Sequence, residues 1–132
     1  MSYQHPDTAP TPPADLWNSI DDLWNWLDTH DTRDGRAPDD RRGLLLGMLK
    51  LSEEVGEAAQ AVIGATGQNP RKGTTHTWAD VEAELCDVVI TALVALRTLT
   101  PEAREVFAHH LARVRQRSLG ADAPAPRSTR RD

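Results

Sequence analysis

Acidic side chains recur at helical spacing in two apolar stretches of the chain. Glu54 and Glu57 are three residues apart, as are Glu84 and Asp87. On a helix this spacing places two carboxylates on neighbouring turns, close enough to bind one cation. Two such helices facing each other would bring four carboxylates around one space. Such an all-oxygen ligand set is typical of Mg²⁺ or Mn²⁺ sites, in which the metal keeps waters and accepts phosphate oxygens.

Basic residues are excluded from the helical parts of this region. Between Leu51 and Leu96 the only bases are Arg71 and Lys72, and both fall in the loop between the two acidic stretches. A solvated helix usually pairs Glu with Lys one turn later, which stabilises it by roughly 0.2–0.5 kcal/mol per pair. The alternative is a set of ordinary surface carboxylates, because ExxE and ExxD spacings occur by chance in many helices. The exclusion of bases from both stretches favours a cation site.

Three bases near the acids are candidates for binding a polyphosphate. Lys50 lies one turn before Glu54 and is either its salt-bridge partner or a phosphate contact. Arg71 and Lys72 are candidates for covering a phosphate chain bound to a metal, with a basic solvated loop as the equally good alternative. These residues extend the candidate site beyond the carboxylates.

Further candidates lie in other parts of the chain. The sequence has four Trp, of which most are expected in the core, while Trp24 and Trp78 are candidates for stacking on a nucleobase. Arg113, near the C-terminus of the last predicted helix, is a candidate phosphate contact. The helix dipole explains a basic residue there equally well.

Helical periodicity runs through four segments, and none of them alternates like a strand. The first helix is predicted from an N-cap at Asp15 to about His30. The last is predicted to begin at Thr100-Pro101-Glu102, with Thr as the N-cap and Pro in the first helical position, and to end at Gly120.

The two middle helices carry the acids. The second is predicted to begin around residues 39–40 and to stop at Gly64 or Gly67. The third follows a loop and begins at Thr77, whose spacing to Asp80 resembles a capping box with Asp in place of Glu. Both helices are apolar over much of their circumference.

Together these segments predict one all-α domain, an antiparallel four-helix bundle over residues 15–119. Residues 1–14 and 120–132 are predicted to be disordered tails, because they hold too few apolar residues to repay ordering. With one Phe and one Tyr the core is thin. We therefore expect a partner subunit to cover the apolar second and third helices.

The composition argues against several classes of protein. Fifteen Lys and Arg against 20 Asp and Glu give a net charge of −5, which disfavours binding to nucleic acid or to anionic lipid. No run approaches the roughly 18 apolar residues that span a bilayer, and the N-terminus lacks the pattern of a signal peptide. The single cysteine, Cys86, permits no internal disulfide. We expect a cytoplasmic protein.

The acidic pattern is also similar to that of a known family. The stretch 49–59, which contains Glu53-Glu54-Val55-Gly56-Glu57, together with Glu84-Leu85-Cys86-Asp87, resembles the ExxE…ExxD signature of the MazG-like, all-α nucleoside triphosphate pyrophosphohydrolases. The resemblance extends from about Trp26 to Leu96, and the stretch 69–73 resembles a loop of one subgroup. It implies Mg²⁺-dependent hydrolysis of a nucleotide between its α and β phosphates.

Carried over position by position, the resemblance implies metal ligands at Glu54, Glu57, Glu84 and Asp87. It implies that Glu53 orients or deprotonates the attacking water. A bundle of the MazG-like type that forms a dimer or a dimer of dimers is also implied. The alternatives are hydrolysis of phosphoribosyl-ATP, for which related folds are known, and a non-catalytic helical module whose acidic face binds a basic partner.

Overall fold

The computed structural model describes residues 16–30 and 41–120. In these ranges the chain forms four α-helices and no strand, which confirms the all-α prediction: α1 (Leu16–His30), α2 (Arg42–Thr66), α3 (Trp78–Leu99) and α4 (Ala103–Leu119). None of these helices is long and apolar enough to cross a membrane. Three sets of predicted features lie outside the described residues: the tails apart from Gly120, the N-cap at Asp15, and the start of the second helix at residues 39–40.

The described chain forms two compact units, one ending at Pro101 and the other beginning at Glu102. The first unit contains α1, α2 and α3, and the second contains α4. In the first unit α2 packs extensively on α3, and α1 packs on α3 as well. The acidic pairs of α2 and α3 therefore belong to one packed unit.

Small residues let α2 and α3 approach closely. Ala58 and Ala61 of α2 and Ala95 of α3 are buried. A Cβ on Gly47 would lie 3.5 Å from the Cβ of Ala95, an ordinary van der Waals contact. Short side chains at these positions allow the two backbones to lie near each other, so side chains at the edges of the contact also converge.

Large apolar side chains of the first unit remain on its surface. Ile20 of α1 is only 2% exposed, yet Leu23 and Leu27, on the same face by helical spacing, are exposed. Leu49 of α2 and Val89 of α3 are exposed as well. The core of the first unit is therefore thin, as the sequence predicts.

The ends of α2 and α3 follow the sequence signals. Gly67 ends α2 in the left-handed conformation, with φ at 64°, and its N–H donates to the carbonyl of Ile63. Thr77 Oγ1 accepts a hydrogen bond from the N–H of Asp80, and Asp80 Oδ2 accepts one from the N–H of Thr77 at 2.9 Å. This pair confirms the predicted capping box. The hydrogen bond from the Thr77 N–H, followed by one from the Thr77 side chain, lowers the pKa of the Asp80 carboxyl.

The predicted start of the last helix is wrong by a few residues. Thr100 is the C-cap of α3, with its N–H donating to the carbonyl of Leu96, and α4 begins at Ala103 after an N-cap at Glu102. The carbonyl of Glu102 accepts the N–H of Val106 at 3.0 Å, as the carbonyl of an N-cap does, so helical hydrogen bonding is in place from Glu102. Pro101 disfavours a helical conformation for the residue before it, a restriction that an N-cap at Thr100 would also satisfy. Thr100 is accordingly extended, with φ −147° and ψ 135°.

The loop between α2 and α3 is tied back to the end of α2. Asn69 starts a turn in which its side-chain oxygen accepts from the N–H of Arg71, while its carbonyl accepts from the N–H groups of Lys72 and Gly73. The N–H of Thr75 then donates to the carbonyl of Gly64 at 3.0 Å. This contact holds the last part of the loop against α2 before α3 begins.

Gly64 should be essential for this contact. A Cβ at position 64 would collide with the side chains of Thr75 and His76. We expect Gly64→Ala to lower the free energy of unfolding by about 1–3 kcal/mol, as overpacking typically does. Urea or thermal unfolding followed by circular dichroism measures the change.

The matched control lies on the same helix. A Cβ on Gly56 would have no neighbour within 4 Å. Gly56→Ala should therefore stabilise the protein by roughly 0.5–1 kcal/mol, because Ala loses less backbone entropy in a helix than Gly. Equal effects of the two substitutions would contradict the close approach at Gly64.

Candidate metal centre

Three of the four predicted metal ligands converge where α2 and α3 meet. Glu54 of α2 and Glu84 and Asp87 of α3 each offer a carboxylate oxygen, and these oxygens lie within 4.8 Å of one another. A cation that binds oxygens at roughly 2.0–2.6 Å can contact ligands at such separations. The three residues, which we term the acidic cluster, have the geometry of a candidate metal centre.

The helix contact explains why the cluster forms. Glu54 precedes Ala58 by four residues and Ala61 by seven, so all three lie on one face of α2. Glu84 follows the buried Val81 by three residues, and Asp87 follows Glu84 by three. The acids therefore extend the faces by which α2 and α3 pack.

The cluster contains buried carboxylate oxygens without a protein partner. Glu54 is 7% exposed, and neither its Oε2 nor the Oε2 of Glu84 accepts a hydrogen bond. A buried carboxylate oxygen without a hydrogen bond is costly, and a bound cation would remove that cost. Asp87 is exposed, which leaves one side of the cluster open to solvent. Buried oxygen donors beside an open side are a ligand set that could hold a hard cation with coordination positions left for other oxygens.

Glu57, the fourth predicted ligand, is exposed and lies outside the group of three oxygens, yet it is within their electrostatic reach. The negative charge of Glu54, followed by desolvation, raises the pKa of Glu57 above its usual value, and the charges of Glu84 and Glu53 act in the same direction. Like charges thus repel one another across the cluster when no cation is bound.

Lys50 is the cation next to the cluster. Its Nζ lies 3.0 Å from Glu54 Oε1 and 3.8 Å from Glu53 Oε2. The hydrogen bond to Glu54 and the charge of Glu53 raise the pKa of Lys50. Lys50 therefore forms the salt bridge with Glu54, which is one of the two roles predicted for it. Glu53, the predicted water-orienting acid, is exposed next to it.

The predicted phosphate-binding bases lie in two different units. Arg71 and Lys72 are exposed in the loop that connects α2 and α3. Arg113 belongs to α4 and so to the second unit, where its guanidinium is 3.2 Å from the ring of His110. Their binding to phosphate stays a prediction.

The two predicted stacking residues differ in their surroundings. Trp78 is the first residue of α3 and is exposed. Trp24 of α1 is half-buried, and the Arg97 guanidinium lies 4.1 Å from its ring centroid in a cation–π contact. Arg97 also forms a 2.9 Å salt bridge with Asp21. Trp24 thus takes part in the contact between α1 and α3.

Comparisons of the chain with models of protein families, with curated proteins and with solved structures gave no match. The likeness to the MazG-like family therefore depends on the motif residues. The chemical argument depends on the geometry of the acidic cluster.

The raised pKa of Glu57 predicts a pH-dependent penalty on folding. Its pKa in the folded chain exceeds the usual 4.5, so the folded state binds this proton more tightly than the unfolded state does. Stability is lost as the pH rises from about 4.5 through the raised pKa. In metal-free buffer Glu57→Gln should therefore raise Tm at pH 7 and have little effect at pH 4, as measured by thermal unfolding with a chelator present.

Glu82→Gln is the control, because Glu82 is an exposed acid of α3 outside the acidic cluster. At pH 7 the Tm of Glu82→Gln should not exceed that of the wild type, and the difference between the two proteins should be the same at pH 4. A Tm for Glu57→Gln below that of the wild type at pH 7 would show that Glu57 stabilises the metal-free fold, contrary to this account.

Proposed function

We propose that this protein is a Mg²⁺-dependent nucleotide pyrophosphohydrolase, which cleaves nucleoside or deoxynucleoside triphosphates to the monophosphate and pyrophosphate. The observation that carries the proposal is the acidic cluster, in which Glu54, Glu84 and Asp87 converge and two carboxylate oxygens are buried without a partner. The ExxE…ExxD pattern, with its likeness to the MazG-like family, adds the substrate class.

Each acid has a role in this proposal. Glu54, Glu84 and Asp87 hold the metal, with Glu57 as a fourth ligand from the next turn of α2. A divalent ion bound there would neutralise negative charge on the phosphates and would lower the pKa of a bound water. Glu53, exposed beside Lys50, accepts a proton from the water that attacks the phosphorus.

Hydrolysis at this site needs little covalent chemistry from the protein. Phosphoryl transfer is accelerated chiefly by positioning and by stabilisation of negative charge. Arg71 and Lys72, exposed in the loop, bind the outer phosphates in this proposal, and Trp78 stacks on the base. We place the activity in the cytoplasm, where it removes non-standard or excess nucleotides.

Assembly is the second part of the proposal: the protein forms a homodimer or a dimer of dimers. Leu45 and Leu49 of α2 are more than 60% exposed, and Leu85 and Val89 of α3 are more than half exposed. A single chain of this size rarely leaves so many large apolar side chains in water. A second copy that covers α2 and α3 would remove them from solvent.

The activity can be tested directly. Purified protein with Mg²⁺ should release pyrophosphate from at least one member of a panel of canonical and modified nucleoside triphosphates. Glu54→Gln and Asp87→Asn should each reduce kcat/KM by about 100-fold or more, because each removes a metal ligand. Glu82→Gln, with an acid outside the cluster changed, should retain the activity.

Phosphoribosyl-ATP belongs in the same panel, since a preference for it over all triphosphates would assign the alternative substrate class. The hydrolase proposal fails if no substrate yields more pyrophosphate with the wild type than with Glu54→Gln. A metal-independent binding partner for the acidic face would then be the better hypothesis.

The oligomeric state should follow from the exposed apolar faces. Sedimentation equilibrium is expected to give two or four times the 14.6 kDa chain mass. Leu49→Lys, which places a charge on a side chain that is 68% exposed, should shift the distribution towards the single chain. A wild type that sediments as one chain at all concentrations would refute the assembly.

A further inference from the structure

We propose that Lys50 is the counter-ion of the acidic cluster. Its ammonium leaves Glu54 readily only when a metal ion binds together with a polyphosphate. Lys50 thereby makes the site select the metal–polyphosphate complex over the free metal ion. The inference rests on the proposed metal site and adds a selectivity that the site's carboxylates alone do not provide.

The two oxygens of Glu54 have different partners. Oε1 lies 3.0 Å from Lys50 Nζ, while Oε2 is buried and has no hydrogen-bond partner. The Glu54 side chain is 9% exposed, so water cannot readily replace its contact with Lys50. Glu54 thus contacts the Lys50 ammonium through one oxygen and also lies close to the carboxylates of Glu84 and Asp87.

The ammonium is held loosely enough to leave. The Lys50 side chain is 54% exposed, and its second contact, with Glu53, is longer at 3.8 Å and involves an exposed carboxylate. A Lys side chain has a flexible stem and a compact charge, so its head can move to a nearby anion while its backbone stays in the helix. Release of Glu54 therefore requires no rearrangement of α2.

Charge explains the selectivity. The sequence contains no Lys or Arg in α2 after Lys50 or in α3 before Arg97. Neither segment can therefore replace Lys50 as a counter-ion of the cluster. A free divalent ion that binds Glu54 repels the ammonium next to it and leaves that ammonium only its longer contact with Glu53. A metal–polyphosphate complex brings anionic oxygens that can accept the ammonium. Lys50 therefore opposes the first ligand and favours the second.

The test measures two affinities in full-length protein. The first is for Mn²⁺ alone, followed by the electron paramagnetic resonance of free Mn²⁺. The second is for Mn²⁺ with an α,β-methylene triphosphate, which is not cleaved at that bond, and it is measured by calorimetry.

Lys50→Met should bind Mn²⁺ alone about tenfold more tightly than the wild type, because one nearby positive charge is lost. It should bind the Mn²⁺–analogue complex several-fold more weakly.

Three further variants serve as controls. Lys50→Gln, uncharged but polar, should behave as Lys50→Met, and Lys50→Arg, which keeps the charge, should stay close to the wild type. Arg104→Met removes one positive charge from the exposed surface of α4 and should change both affinities less than twofold. Thermal unfolding of each variant confirms that it is folded before binding is measured.

The outcomes separate this inference from the function on which it rests. If the wild type binds Mn²⁺ and both uncharged variants bind it equally or more weakly, the counter-ion role is wrong while the metal site stands. The same holds if the uncharged variants keep the wild-type ratio of the two affinities. If neither the wild type nor Lys50→Met binds Mn²⁺ at millimolar concentration, with or without the analogue, both the metal site and the role of Lys50 are wrong.

Discussion

Burial of the Glu54 carboxylate is the constraint on which the first unit depends. Small residues bring α2 and α3 together, and the same close contact removes Glu54 from water, with only 7% of its surface exposed. One oxygen is neutralised by Lys50, and the other remains without a partner. A fold whose only purpose was stability would gain from an apolar residue here, because a buried ion pair rarely repays its desolvation. The retained charge is easier to understand as part of a binding site.

Much of this arrangement is predictable from the sequence, because it depends on local rules. The capping box at Thr77 and the left-handed Gly67 follow from hydrogen bonding and sterics within a few residues of the chain. The convergence of Glu54 with Glu84 follows from helical spacing beside apolar stripes. The start of α4 was predicted two residues too early. An extended Thr100 suits both an N-cap and a residue before proline, so its conformation could not show that the cap of α4 is Glu102.

Contacts between distant parts of the chain could not be predicted in this way. Asp21 and Arg97 form a salt bridge across 76 residues, and the same guanidinium covers the ring of Trp24. No spacing rule connects such positions, so Trp24 was a stacking candidate on residue type alone. The choice of Lys50 between a carboxylate and a phosphate also depends on side-chain geometry. Its two roles are both consistent with helical spacing, and the structure shows the contact with the Glu54 carboxylate.

The anchoring of the loop to Gly64 has a consequence for how this protein can vary. The hydrogen bond from the Thr75 N–H to the Gly64 carbonyl fixes the chain against α2 just before α3 begins. We therefore expect that the segment between Gln68 and Thr74 can vary in length or charge without moving Glu84. A Cβ at position 64 itself would collide with the side chains of Thr75 and His76. Related sequences could therefore acquire different loops, and with them different ligands, while the acids of the helices stay in register. The glycine separates a part of the molecule that is free to diversify from a part that is not.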